Sequence, residues 1–97
     1  MNDKSQETAS AHVVVTGCVQ GVGFRWWAMR KAQEYGLKGY IRNLYDGDVE
    51  LEVEGLRGMI ADFIEEVRIG PSSAGVTDAK VQWGRYQGKY EGFDIRF

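Results

Sequence analysis

Apolar and polar positions alternate along several stretches of the chain, and at two others they recur at helical spacing. Residues 12–19 are dense in β-branched side chains and predict a strand, with Val13 and Val15 on one face and His12, Val14, Thr16 and Cys18 on the other. Residues 25–35 are good helix formers. Phe24, Ala28, Ala32 and Tyr35 make an apolar stripe there, and Gly36 supplies a stop. Residues 39–45 and 48–54 flank Asp46-Gly47, a strong hairpin signal. In the second arm Val49, Leu51 and Val53 oppose Asp48, Glu50, Glu52 and Glu54, which predicts one buried and one wet face. Gly55 ends that arm, and Ile60, Phe63, Ile64 and Val67 mark a second amphipathic helix closed by Gly70-Pro71. After a loop over 72–75, Ala79, Val81 and Trp83 alternate as a strand. Residues 84–92 read as a turn region, and Phe93, Ile95 and Phe97 alternate in a short last strand.

The order strand, helix, strand, strand, helix, strand predicts an α+β fold. It is a ferredoxin-like βαββαβ sandwich, an antiparallel sheet with two helices on one face. At 97 residues the chain makes one domain. Residues 1–10 are polar and read as a disordered tail, leaving 11–97 as the domain. Apolar residues reach 43%, enough for a core. The net charge of -2 argues against a nucleic-acid or anionic-membrane partner, because both reward a basic face. No apolar run approaches the ~20 residues that span a bilayer, and the first residues lack a signal-peptide core. One cysteine, Cys18, builds neither an intramolecular disulfide nor a Cys-rich zinc site, and the cytoplasm is the simplest compartment. A monomer is expected.

Candidate chemistry concentrates in residues 15–25, Val-Thr-Gly-Cys-Val-Gln-Gly-Val-Gly-Phe-Arg. A strand that breaks into glycines before a helix start is an anion-binding arrangement, because unpaired N–H groups point at the ligand. Arg25 adds a planar charged fork suited to phosphate or carboxylate oxygens. Read on spacing alone, the same glycines also make an ordinary tight turn. No Lys-Ser/Thr follows them, so this is not a nucleotide P-loop, and the dinucleotide GxGxxG pattern is absent. His12 is the one histidine and has no partner group nearby in sequence, so it reads as an edge or partly buried residue. Cys18 reads as an inert, half-buried thiol. The acids of 48–54 are explained as a solvated strand face rather than a cation site. Trp26 and Trp27 read as core or surface cover, with a lid near the loop as the alternative.

Residues 15–25 resemble the first signature of the acylphosphatase family, an aliphatic residue followed by G-x-V-Q-G-V-x-F-R. Val15, Gly17, Val19, Gln20, Gly21, Val22, Phe24 and Arg25 carry it, with Gly23 at the variable position. A second family signature is met by Gly39, Tyr40, Asn43, Gly47, Val49 and Gly55, with Ile41 where a Val-like residue is usual. Gly70-Pro71 and the closing Phe93-Asp94-Ile95-Arg96-Phe97 also look familial, so the resemblance covers about residues 12–97. Ala28 stands where many members carry a threonine.

The resemblance implies a metal-independent hydrolase, without cofactor, acting on a small acyl phosphate. Arg25 is then expected to bind the phosphoryl group, with N–H groups of Gln20, Gly21, Val22, Gly23 and Phe24 around the same oxygens. Asn43 is expected to hold the attacking water. An acyl phosphate leaves as a carboxylate, stable at neutral pH, which suits a chain with no obvious acid–base pair. With a two-residue turn at Asp46-Gly47, Asn43 pairs with Glu50 and lies on a largely wet face beside Ile41 and Glu52. The alternatives are an anion-binding module without catalysis, a relative of the similar domain in larger carbamoyl-phosphate-using maturation proteins, and a nucleic-acid binder. The acidic hairpin arm disfavours the last.

Overall fold

The computed structural model describes residues 6–97. Its elements run β1 (Thr8–Cys18), α1 (Phe24–Glu34), β2 (Lys38–Asn43), β3 (Val49–Leu56), α2 (Arg57–Ile69), β4 (Gly75–Gly84) and β5 (Phe93–Arg96). The strands form one sheet in the order β4-β1-β3-β2-β5. Both helices pack on the same face, α1 over β2 and β5, α2 over β4, β1 and β3. The expected two-layer ferredoxin-like fold is present, with one correction. The sheet is mixed, because β5 runs parallel to β2 whereas the other pairs are antiparallel. The chain crosses from β4 at one edge to β5 at the other, so β5 runs opposite to β4 and with β2.

The apolar faces meet between the layers as their periodicity demands. Val13 and Val15 of β1, Ile41 of β2, and Val49, Leu51 and Val53 of β3 are sealed under Phe24, Ala28 and Ala32 of α1. Ile60, Phe63, Ile64 and Val67 close the core from α2. Gly70 ends α2 at a φ of 72°, its N–H on the Glu66 carbonyl at 2.8 Å, and Pro71 blocks continuation. Of the segment expected as a tail, residues 1–5 lie outside the described residues. Thr8, Ala9 and Ser10 instead belong to β1 and pair with Leu56, Gly55 and Glu54, because β3 extends to Leu56 and offers them ladder partners.

The outer face of the sheet is less wet than alternation predicts. Glu54 is only 2% exposed and accepts the backbone N–H groups of Gln87 (2.6 Å) and Lys89 (3.1 Å), which pins the β4–β5 connection across the sheet. Glu50 meets His12 (2.9 Å), Arg42 (2.6 Å) and the Tyr40 hydroxyl (3.1 Å). Burial alone would push the Glu50 carboxyl up, but these three hydrogen bonds hold it below the usual carboxylate value. β3 is the middle strand of the sheet, and long side chains from its neighbours cover its acids. Among the described residues no helix is long and apolar enough to cross a membrane.

Candidate active site

The segment between β1 and α1 leaves the sheet through a bulge. The β1–β4 register shifts between Thr16 and Gly17. Gly17 sits at φ 122°, and a Cβ there would stand 2.1 Å from the Gly75 carbonyl oxygen, so only glycine fits the turn-out. Gly21 and Gly23 then take left-handed conformations, and Gly23 becomes the N-cap of α1 without any side-chain cap. The first helical bond is Trp27 N–H to the Gly23 carbonyl, 3.1 Å. The amide N–H groups of residues 20–26 therefore find no acceptor among the described residues. No acidic side chain lies in the first turn of α1, so nothing in that turn offsets the positive end of the helix dipole. Arg25 stands in this turn with its guanidinium 5.0 Å from the Phe97 ring centre and no ion-pair partner among the described residues.

The loop is bolted to its surroundings on two sides. The Gln20 amide donates to the carbonyls of Leu44 (2.6 Å) and Asp48 (2.8 Å), the two ends of the β2–β3 turn. On the other side the Ser73 hydroxyl donates to the Val22 carbonyl at 2.9 Å. Because β3 lies between β1 and β2, the loop crosses the end of β3 to reach α1 above β2 and β5. The Gln20 side chain fastens that crossing.

Asn43 closes β2 and is placed differently from the expectation. The hairpin turn has three residues, Tyr45 to Gly47, closed by Gly47 N–H to the Leu44 carbonyl (3.2 Å) and Leu44 N–H to the Asp48 carbonyl (2.8 Å). Asn43 therefore pairs with Val49, and Arg42 pairs with Glu50. One residue of register moves Asn43 from the outer face to the helix-facing side, which it shares with Ile41, Val49 and Leu51. Its Oδ1 is buried and has no hydrogen-bond partner. Burying an unmatched amide oxygen costs about 1–3 kcal/mol unless a donor reaches it. Phe97 follows the last β2–β5 rung, Arg42 with Arg96, as Asn43 follows Arg42. Arg25, resting on Phe97, thus stands at the Asn43 end of β2.

The other residues weighed from the sequence lie elsewhere. His12 is half-buried on the outer face and held by Glu50. Cys18 is exposed rather than half-buried, at the end of β1 where it still pairs with Gly75 of β4. Trp27 packs half-buried on Phe24, ring centres 5.6 Å apart, whereas Trp26 is exposed. Among the described residues no group of three or more His, Cys, Asp or Glu side chains forms a ligand set for a metal ion. Sequence reasoning missed the Gln20 side chain and Phe97. A glutamine among glycines carries no periodicity signal, and the place of Phe97 depends on strand order.

Comparison with known proteins adds an independent line. The acylphosphatase family model matches residues 11–95. An acylphosphatase from Anaeromyxobacter sp. (strain Fw109-5) is 42% identical over 90 residues, covering 93% of this chain and 97% of the relative. The crystal structure of acylphosphatase from Bacillus subtilis superposes with a TM-score of 0.88 at 34% identity, over 92% of this chain and 99% of that one. An acylphosphatase structure from Coxiella burnetii gives 0.87 at 36% identity, over 99% and 100% of the two chains. The family match takes in the unpaired loop and the buried Asn43 together, and the same fold accompanies it at these identities: the chain belongs to the acylphosphatase family.

Proposed function

We propose that this chain hydrolyses small acyl phosphates to a carboxylate and inorganic phosphate, with Arg25 and the amides of residues 20–24 holding the phosphoryl group and Asn43 holding the attacking water. The partnerless Oδ1 of Asn43 carries the reading. A buried acceptor without a donor suits a water that donates one O–H to it and turns a lone pair toward phosphorus. The family membership supplies the reaction class.

The chemistry asks for little else. The water oxygen bonds to phosphorus, the bond from phosphorus to the acyl oxygen breaks, and the carboxylate leaves with the electron pair. The water proton passes to a phosphoryl oxygen, since an amide is no base. The leaving group is stable at neutral pH, so no general acid is called for and no step needs a metal. What remains is positioning and neutralisation of charge, the main demands of phosphoryl transfer. The unpaired amides at the start of α1 and the free Arg25 fork meet the charge demand. Loop, Arg25 and Asn43 all come from one chain, so a monomer suffices. The exposed free thiol of Cys18 suits a reducing compartment, the cytoplasm.

The test is hydrolysis of acetyl phosphate by purified protein in the presence of a chelator, where full activity is expected. Arg25→Ala is expected to raise the phosphate concentration needed for inhibition and nearly to abolish turnover, and Arg25→Lys to rescue little of it. Asn43→Ala is expected to spare phosphate inhibition and lower kcat by about 10²–10³. Loss of activity on chelation, or normal turnover by Asn43→Ala, overturns the proposal.

A further inference from the structure

We infer that the Ser73 hydroxyl sets which way the Val22–Gly23 peptide faces, and so decides whether the Gly23 N–H joins the amides proposed to hold the phosphoryl group. The inference rests on that proposed role of the β1–α1 loop and adds a positioning residue from the α2–β4 connection. Ser73 donates to the Val22 carbonyl at 2.9 Å, and among the described residues no backbone N–H reaches that oxygen. A trans peptide points its C=O and N–H in opposite directions, so a carbonyl held toward Ser73 turns the Gly23 N–H to the other side. Gly21 and Gly23 have φ of 74° and 78°, with Val22 between them at a negative φ. Backbone that alternates hand in this way gathers successive N–H groups into one concavity and sends the carbonyl outward.

The peptide needs such a hold because glycine does not supply one. A Cβ at Gly23 would meet nothing within 4 Å, so space does not call for glycine there; the positive φ does. Turning the Val22–Gly23 peptide over changes only ψ of Val22 and φ of Gly23, and carries Gly23 to a negative φ that glycine adopts as readily. The turned peptide would aim the Val22 carbonyl, the negative end of the unit, at the phosphoryl oxygens. It would also break the Ser73 bond, and that difference selects the productive face. Ser73 is itself well anchored. Its turn is closed by Ala74 N–H on the Pro71 carbonyl at 3.0 Å, and the Pro71 ring fixes its own φ. The connection leaves α2 at Gly70 and enters the β1–β4 ladder at the Gly75–Cys18 pair, so both of its ends are tied down. Gln20 thus fastens the loop to the β2–β3 turn, whereas Ser73 orients one peptide within it.

The experiment measures inorganic phosphate binding by calorimetry, and acetyl phosphate hydrolysis, in the purified full chain and in Ser73→Ala, Ser73→Thr and Ser72→Ala. Ser73 is exposed, so circular dichroism is expected to show every variant folded. Ser73→Ala is expected to raise the phosphate Kd about fivefold, the worth of one net hydrogen bond in the balance between the two peptide faces. The same factor is expected in KM, while kcat stays within about twofold, because a saturating phosphoryl group draws the loop into its productive form. Ser73→Thr keeps the hydroxyl and is expected to restore the parent Kd, and Ser72→Ala to match the parent. An unchanged phosphate Kd in Ser73→Ala overturns the inference, as does a loss that Ser73→Thr does not restore or one that falls on kcat rather than KM. Phosphate binding that depends on Ser73 in a parent protein without turnover overturns the proposed hydrolysis and leaves the inference standing. A parent protein that binds no phosphate overturns both.

Discussion

Replacing Gln20 by alanine separates the fastening of the β1–α1 loop from the chemistry proposed for it. The side chain donates two hydrogen bonds, 2.6 and 2.8 Å, to the carbonyls of Leu44 and Asp48. Both carbonyls keep a backbone donor in the variant, Gly47 N–H on Leu44 and Leu44 N–H on Asp48, so neither is orphaned. The loss is then two ordinary hydrogen bonds at a net ~1 kcal/mol each, about 2 kcal/mol in all. For a domain of this size that lowers Tm by roughly 8–16 °C, read by circular dichroism. The kinetic effect is larger than stability alone predicts. Leu44 adjoins Asn43, so the bolt sets the distance between the loop amides and the Asn43 amide, and, on the proposed role of Asn43, a displacement near 1 Å is expected to cost on the order of 10² in rate. The backbone N–H groups of the loop remain, so inhibition by phosphate changes less than kcat. The assay is steady-state hydrolysis of acetyl phosphate well below the variant's melting point, with phosphate as competitive inhibitor. A folded Gln20→Ala protein with kcat within twofold of the parent refutes the role of the bolt, and so does a loss of phosphate affinity as large as the loss of kcat.

Two further outcomes follow from the same geometry. The lowered Glu50 carboxyl contributes stability that is present above the ordinary carboxylate value of 4.5 and is lost as pH falls through the lowered native value. Glu50→Gln is therefore expected to melt lower at neutral pH and to lose less stability than the parent on acidification, and parallel Tm–pH curves for the two proteins contradict the network. Gly17→Ala puts a methyl into the Gly75 carbonyl at a left-handed φ, so a loss of stability of about 1–3 kcal/mol or more is expected by urea denaturation. An unperturbed midpoint refutes the steric reading of the bulge.

Much of the architecture is legible in the chain because burial has a period. The alternation of Val49, Leu51 and Val53 and the spacing of Ile60, Phe63, Ile64 and Val67 name their faces without reference to any partner. The two spaced signatures around Arg25 and Asn43 likewise point to the family from residue identities alone, and the match over residues 11–95 agrees. Three features needed the third dimension. Asp46-Gly47 is compatible with a two-residue and a three-residue turn, and the difference of one residue decides which side of the sheet Asn43 takes. Only the Leu44–Asp48 and Gly47–Leu44 hydrogen bonds select the longer turn and bury Oδ1 on the helix-facing side. The burial of Glu54 depends on a connection that crosses the sheet 33 to 35 residues later in the chain, which no local pattern reports. The partners of Gln20 depend on β3 lying between β1 and β2. Periodicity is a local property of the backbone and can be read from the chain by itself; register, strand order and the mates of single polar side chains are set by long-range contacts, and only the tertiary structure decides them.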